Sequence, residues 1–208
     1  EHAHCCKLLN AIGKADLDDE GVITSAPRNR LVAECALQAG LRRAEEIRLK
    51  VCNIVTYNVA KEDPFSTRAI EVLGTGNKKR NVPLPFWLIK AIQNYINTER
   101  AQLILQRILQ DPTFVDHGYV FVHGANAPGS QGRHIGLKQI NLAFKAAREL
   151  LVAEIRAESL WNSSHISARA STYVFHGLRH TYAINTYVLR SREGDPNPGK
   201  YVQSVLGH

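Results

Sequence analysis

One stretch of this chain breaks the helical pattern that runs through the rest, and it limits the folds open to it. Between residues 51 and 85, apolar positions stop recurring every three or four residues. β-Branched and aromatic residues take over from Val51 to Val59, and a second apolar run follows at Ala69 to Leu73. The turn signal Gly74-Thr75-Gly76-Asn77 comes next, and alternation resumes from Arg80 to Leu84, bounded by Pro83 and Pro85. Short runs of this composition around a glycine turn predict strands and a hairpin. We expect a small three-stranded antiparallel sheet whose hairpin is basic at Lys78, Lys79 and Arg80.

Helical periodicity dominates elsewhere. It predicts helices over 2–14 and 28–39, the latter carrying Leu31, Val32, Cys35, Ala36 and Ala39 on one face. Gly40 interrupts the pattern, and a new helical stretch runs from Arg43 to Leu49. A long helix is predicted over 85–109, with Leu88, Ile92, Tyr95 and Ile96 on one face. Further helices are expected over 135–157 and 178–189, and another begins at Val202. Asp16 to Gly21 reads as an acidic loop, Tyr119 to Val122 as a short strand-like piece, 124–134 and 191–199 as loops, and 159–172 as polar and irregular. Tyr182 and Tyr187 are expected in the core. The fold class is therefore mainly α with a small three-stranded antiparallel β-sheet (α+β).

Composition narrows the function classes. The 208 residues are 44% hydrophobic and carry a formal net charge of +7. That is enough apolar material for a buried core, and the positive balance favours a polyanion such as nucleic acid. No apolar run reaches the roughly 20 residues that span a bilayer, so no membrane partner is expected. The four cysteines lack the spacing of a disulfide framework, which points to a reducing, cytoplasmic setting. His2, His4, Cys5 and Cys6 fit a tetrahedral zinc site poorly because adjacent ligands crowd one another, so no metal is expected there. No His-Glu-x-x-His or carboxylate cluster supports a metal-dependent hydrolase built from the nine histidines. The chain lacks methionine even at its first position, and its last residue, His208, follows an apolar run without a helix-ending signal. We expect a fragment of a longer protein.

Three segments carry chemistry: Gly40-Leu41-Arg42-Arg43-Ala44-Glu45, His176-Gly177-Leu178-Arg179-His180-Thr181-Tyr182-Ala183 and Leu206-Gly207-His208. Attack on a phosphodiester builds negative charge on the non-bridging oxygens. Arginine answers it well, being always charged and able to grip two oxygens with its planar fork. Arg42 and Arg179 could clamp one phosphate from two sides. His176 lies three residues before Arg179, on the same side of a helix start, and a neutral imidazole can accept a proton near neutral pH.

In this order, and with the hairpin Gly74 to Leu84 between the first two, these segments resemble the tyrosine recombinase (phage integrase) family over roughly residues 20–208. The resemblance implies the family's catalytic-domain fold, with residues 1–208 as a single catalytic domain. The family's N-terminal DNA-binding domain and C-terminal tyrosine segment would lie outside it. It implies a site-specific recombinase that cleaves and rejoins double-stranded DNA through a 3′-phosphotyrosine link. No cofactor or metal would be needed, and the full protein would self-associate as a tetrameric synapse on DNA. Arg42, His176, Arg179 and His208 match catalytic positions, and Glu45 matches a bracing glutamate. None of the seven tyrosines follows His208, so the nucleophile is absent and this fragment should not cleave DNA. The family's hairpin lysine, which protonates the 5′-hydroxyl leaving group, falls at Thr75, leaving Lys78 as the nearest replacement and Lys79 behind it. A topoisomerase-like relaxing activity and a non-catalytic DNA-binding or regulatory relative are the competing expectations, the second supported by Thr75.

Overall fold

The structure, a computed structural model, describes residues 2–59, 61–158 and 163–207. In chain order the elements are α1 (His2–Ile12), β1 (Asp16–Leu17), β2 (Ile23–Ser25), α2 (Arg28–Ala39), α3 (Arg43–Glu46), α4 (Cys52–Val55), β3 (Thr67–Leu73), β4 (Lys79–Pro85), α5 (Phe86–Tyr95), α6 (Ala101–Gln110), α7 (Leu137–Glu158), α8 (Ser163–Ser171), α9 (His176–Arg192) and α10 (Pro198–Leu206). A 3-10 turn at Thr75–Asn77 joins β3 to β4, and a π-helical turn at Ile96–Arg100 joins α5 to α6.

The chain is mainly helical with small antiparallel sheets, but the three-stranded sheet is not what forms. Among the described residues there are two separate two-stranded sheets, β1 with β2 and β3 with β4. The segment expected as the third strand, Val51 to Val59, contains the helical turn α4 instead. Ile54 is buried there while Cys52 and Val55 are exposed, a one-sided burial that suits a turn and not a pleated strand. Its β-branched residues mark a half-buried surface, not a backbone preference. The acidic loop is the bend of the unforeseen β1–β2 hairpin, where Asp18 accepts from the Glu20 and Val22 backbone N–H groups. Part of the stretch expected to be irregular is helix α8, and residues 159–162 lie outside the described residues. The predicted hairpin forms with Thr67 opposite Pro85 and Leu73 opposite Lys79. Ile70, Val72, Val82 and Leu84 point inward from it.

One hydrophobic cluster runs through α1, α2, β3, β4, α5, α7 and α9, with Leu31, Leu84, Leu88, Ile92, Phe121 and Leu151 at its centre. The helix over 86–110 buries Leu88, Ile92, Tyr95 and Ile96 as its periodicity predicts. Tyr182 is buried, whereas Tyr187 is half exposed because it sits on the outer side of α9. Among the described residues no helix is long and apolar enough to cross a membrane.

What positions the site is the meeting of α2, α9, α10 and β4. α2 packs on α9, and α10 packs on both α9 and β4. Gly40 ends α2 in the left-handed conformation (φ 62°, ψ 31°), and its N–H donates back to Ala36 at 3.1 Å. A Cβ there would stand 2.5 Å from the Tyr182 ring of α9 and 2.9 Å from Leu206 of α10. A glycine is therefore needed both for the turn and for the close approach of three helices.

Candidate active site

Immediately after that turn, Leu41 is buried and Arg42 stands at the head of α3. The Arg42 backbone N–H donates to Glu45 Oε2 at 2.7 Å, and its Nη1 donates to Glu45 Oε1 at 3.2 Å. Arg80, from β4, reaches the same carboxylate with two bonds, Nε to Oε1 at 3.0 Å and Nη2 to Oε2 at 2.7 Å. Arg179, from the first turn of α9, is 4% exposed; its Nη1 donates to the Gly40 carbonyl and its Nη2 to the Leu206 carbonyl at 2.7 Å.

The end of α10 ties the three arginines together. Arg80 donates to the carbonyl of Val205, Arg179 to that of Leu206 and Arg42 to that of Gly207, the last at 3.3 Å. Three consecutive carbonyls thus each hold a different guanidinium. Such carbonyls are the ones a helix leaves unpaired at its C-terminus, where the macrodipole attracts cations. Gly207 is again left-handed (φ 70°), and a Cβ there would lie 2.8 Å from Arg80.

The electrostatics leave the cluster positive. Burial alone would raise the Glu45 carboxyl, but the Arg80 hydrogen bonds, the Arg42 N–H and the two nearby positive charges hold it below the usual carboxylate range. It is ionised at neutral pH. Burial and the like charges of Arg42 and Arg80 bring Arg179 down to about 10, so it remains charged. Three cations therefore face one anion, a net of two positive charges available to an anionic ligand.

His176 opens α9, one turn before Arg179, with its ring exposed and perpendicular to that of His180 at 4.6 Å between centroids. What burial it has, and the charges of His180, Arg179, Arg43 and Arg42, keep it below an ordinary histidine, so it is neutral at pH 7. Lys78 follows the 3-10 turn and is exposed, and its carbonyl accepts from Gly74 N–H at 2.8 Å. Among the described residues its ammonium group has no hydrogen-bond or ion-pair partner, the arginines included. Lys79 pairs with Glu71 at 3.0 Å. His208 lies outside the described residues.

Of the expected site residues the structure thus brings Arg42 and Arg179 into one cluster with Glu45. His176 stands at its edge and Lys78 apart on the hairpin. Arg80 belongs to the cluster too, although its sequence reading was only as part of a basic hairpin. The signal was there: Arg80 shares the inward face of β4 with Val82 and Leu84, two and four residues on. Among the described residues no group of three or more His, Cys, Asp or Glu side chains is placed to hold a metal ion.

The profile of the phage integrase family matches residues 9–208. The chain belongs to the phage integrase, or tyrosine recombinase, family. Two curated relatives in this family are similar in sequence. One is the tyrosine recombinase XerC of Bifidobacterium longum subsp. infantis, 29% identical over 171 residues, covering 80% of this chain and 41% of the relative. The other is the tyrosine recombinase XerC of Bifidobacterium longum strain DJO10A, 30% identical over 158 residues, covering 74% of this chain and 39% of the relative. The chain thus spans about two fifths of the length of these family members. In fold it resembles the XerH site-specific recombinase in its pre-cleavage complex with the difH substrate. The TM-score is 0.54 at 20% identity, over 100% of this chain and 46% of that one.

Proposed function

We propose that residues 1–208 are the catalytic domain of a site-specific DNA recombinase or integrase, with the family's DNA-binding domain and tyrosine segment outside it. The substrate is double-stranded DNA, met in the cytoplasm by copies that assemble on it. The observation that carries this reading is the convergence of Arg42 and Arg179, from α3 and α9, on one positive site closed by the end of α10. In the proposed reaction a tyrosine hydroxyl attacks the scissile phosphodiester and leaves a 3′-phosphotyrosine and a 5′-hydroxyl, which later reverses the step on another strand. Arg42 and Arg179 stabilise the charge that develops on the non-bridging oxygens. His176, neutral at pH 7, takes the proton of the attacking hydroxyl. His208 donates a hydrogen bond to the phosphate, and Glu45 keeps Arg42 and Arg80 in place.

The DNA reading is tested by binding of this chain to a duplex oligonucleotide. Affinity is expected to fall steeply with salt, and Arg42→Ala should lower the salt slope by about one phosphate contact. Binding that ignores salt, or an Arg42→Ala variant with an unchanged slope, would remove the phosphate from the site.

A second reading, a relative that binds DNA without cutting it, is favoured by one observation: threonine stands at the position of the family's acidic lysine. Lys78 decides between the two. An alkoxide leaves poorly without a proton donor in reach. In the full-length protein, Lys78→Ala is expected to slow cleavage sharply on ordinary DNA. A 5′-bridging sulfur should restore most of the rate, since a thiolate leaves unaided. Equal slowing on both substrates would make Lys78 a backbone contact and place the acid elsewhere.

A further inference from the structure

Glu46, the last residue of α3, is a buried acid for which the arginine cluster has no use. Its side chain is 0% exposed, and among the described residues neither carboxyl oxygen has a hydrogen-bond partner. Buried ionised carboxylates are normally paired and hydrogen-bonded, because taking the charge from water is otherwise too costly. The nearby cations are committed elsewhere. Arg179 gives its Nη groups to the Gly40 and Leu206 carbonyls, and Arg43 gives Nη1 to Asn141 of α7. The adjacent Glu45 already supplies the anion that Arg42 and Arg80 share.

The other groups around Glu46 point the same way. From α2 comes Cys35, a fully buried thiol pushed up by burial and then by Glu46 and Glu34. Glu34 is itself occupied by Arg30 and Gln38. From α9 comes Arg179, from α7 the neutral Asn141 through Arg43, and from α3 Glu45 and Arg43. Burial and the Glu45 charge push the Glu46 carboxyl well above the ordinary carboxylate range, against the weaker pull of Arg43 and Arg179.

We infer that Glu46 is a positioning residue held as the neutral acid, which is buried within electrostatic reach of Arg179 without neutralising it and so leaves that charge for a bound phosphate. The inference deepens the proposed function and rests on it for the identity of the anion. An ionised Glu46 would cancel one of the two net positive charges. By reciprocity, a phosphate at Arg179 would hold the proton on Glu46 more firmly.

The sign of the pH dependence follows. The folded chain keeps a proton that the unfolded chain releases in the ordinary carboxylate range. The stability from the neutral acid is therefore complete below that range and is lost as pH rises toward the folded value, tenfold in the unfolding constant per pH unit. Urea unfolding of this chain and of Glu46→Gln, between about pH 5.5 and pH 8.5, reads this directly. The variant should be at least as stable at pH 7, and its advantage should widen as pH rises. An infrared band of a protonated carboxyl at pH 7 should disappear in the variant. Glu46→Met, of similar length and uncharged, serves for both readouts if the glutamine variant does not fold. Both variants should bind a duplex oligonucleotide at pH 7 within about twofold of the parent, at fixed ionic strength. A pH-independent loss of stability, no carboxyl band lost, or markedly tighter DNA binding in the variants would show an ionised Glu46 and overturn the inference. If no protein binds DNA, the proposed function fails while the unfolding and infrared results still stand.

Discussion

Gly40→Ala is expected to cost about 3 kcal/mol of stability, from left-handed strain and overpacking together, and to lower Tm by roughly 6–12 °C for a chain of this size. Residue 40 has a positive φ, where an L side chain is strained by contact with its own backbone. The added methyl would also meet the Tyr182 ring at 2.5 Å and Leu206 at 2.9 Å. Neither neighbour yields easily, since the ring is buried on α9 and the leucine is buried at the end of α10. The strain falls on the carbonyl that receives Arg179 Nη1, so phosphate binding should weaken along with the fold. Thermal unfolding with the DNA titration checks both effects. An unchanged Tm would mean that the three helices can part at this point without penalty.

Glu45→Ala should be comparably damaging, by about 3–5 kcal/mol, because it removes the anion of a buried charge cluster and leaves its cations facing one another. Glu45 is 1% exposed and accepts from both Arg42 and Arg80. Its pH signature is opposite to that of Glu46. A carboxyl held below its ordinary range contributes stability above that range and loses it as pH falls through the folded value. The parent should therefore weaken in acid through this group, and Glu45→Ala should lack that part of the acid limb. Chemical unfolding across the acid range measures it; parallel acid limbs for parent and variant would exclude Glu45 as their source.

How far these features were legible from sequence depends on what kind of signal each one leaves. Amphipathic helices announce themselves through periodic burial, so the main apolar faces of α2 and of the helix from Phe86 to Gln110 were readable, whereas the buried Arg30, Glu34, Arg100 and Arg107 and the π-helical turn were not. The β3–β4 hairpin was readable from Gly74, Gly76 and the alternation after Arg80. The third strand was misread because Val51 to Val59 carries strand composition without strand alternation, and of its residues only Ile54 is fully buried. Arg42 and Arg179 were legible through their residue types and order, whereas Arg80 was read only as part of a basic hairpin. Their acceptors were not, because the carbonyls of Gly40, Val205, Leu206 and Gly207 belong to the backbone. Glu46 was invisible for a related reason: beside Glu45 it looks like one more surface charge, and only the packing of α3 shows that it is buried without a donor.

Backbone acceptors carry no side-chain identity, and this has a consequence for how the domain tolerates change. The guanidiniums held at the end of α10 do not depend on which side chains occupy 205 and 206, provided the helix still stops there. They do depend on its length. Adding or deleting one residue within α10 would turn its last carbonyls by about 100° around the helix axis and swing all three away from their arginines together. Substitutions at exposed positions of α10 such as Gln203 and Ser204 can accumulate one at a time, whereas a change of length is felt by Arg42, Arg80 and Arg179 in a single step. The segment behaves as a gauge of chain length whose reading is the aim of three positive charges.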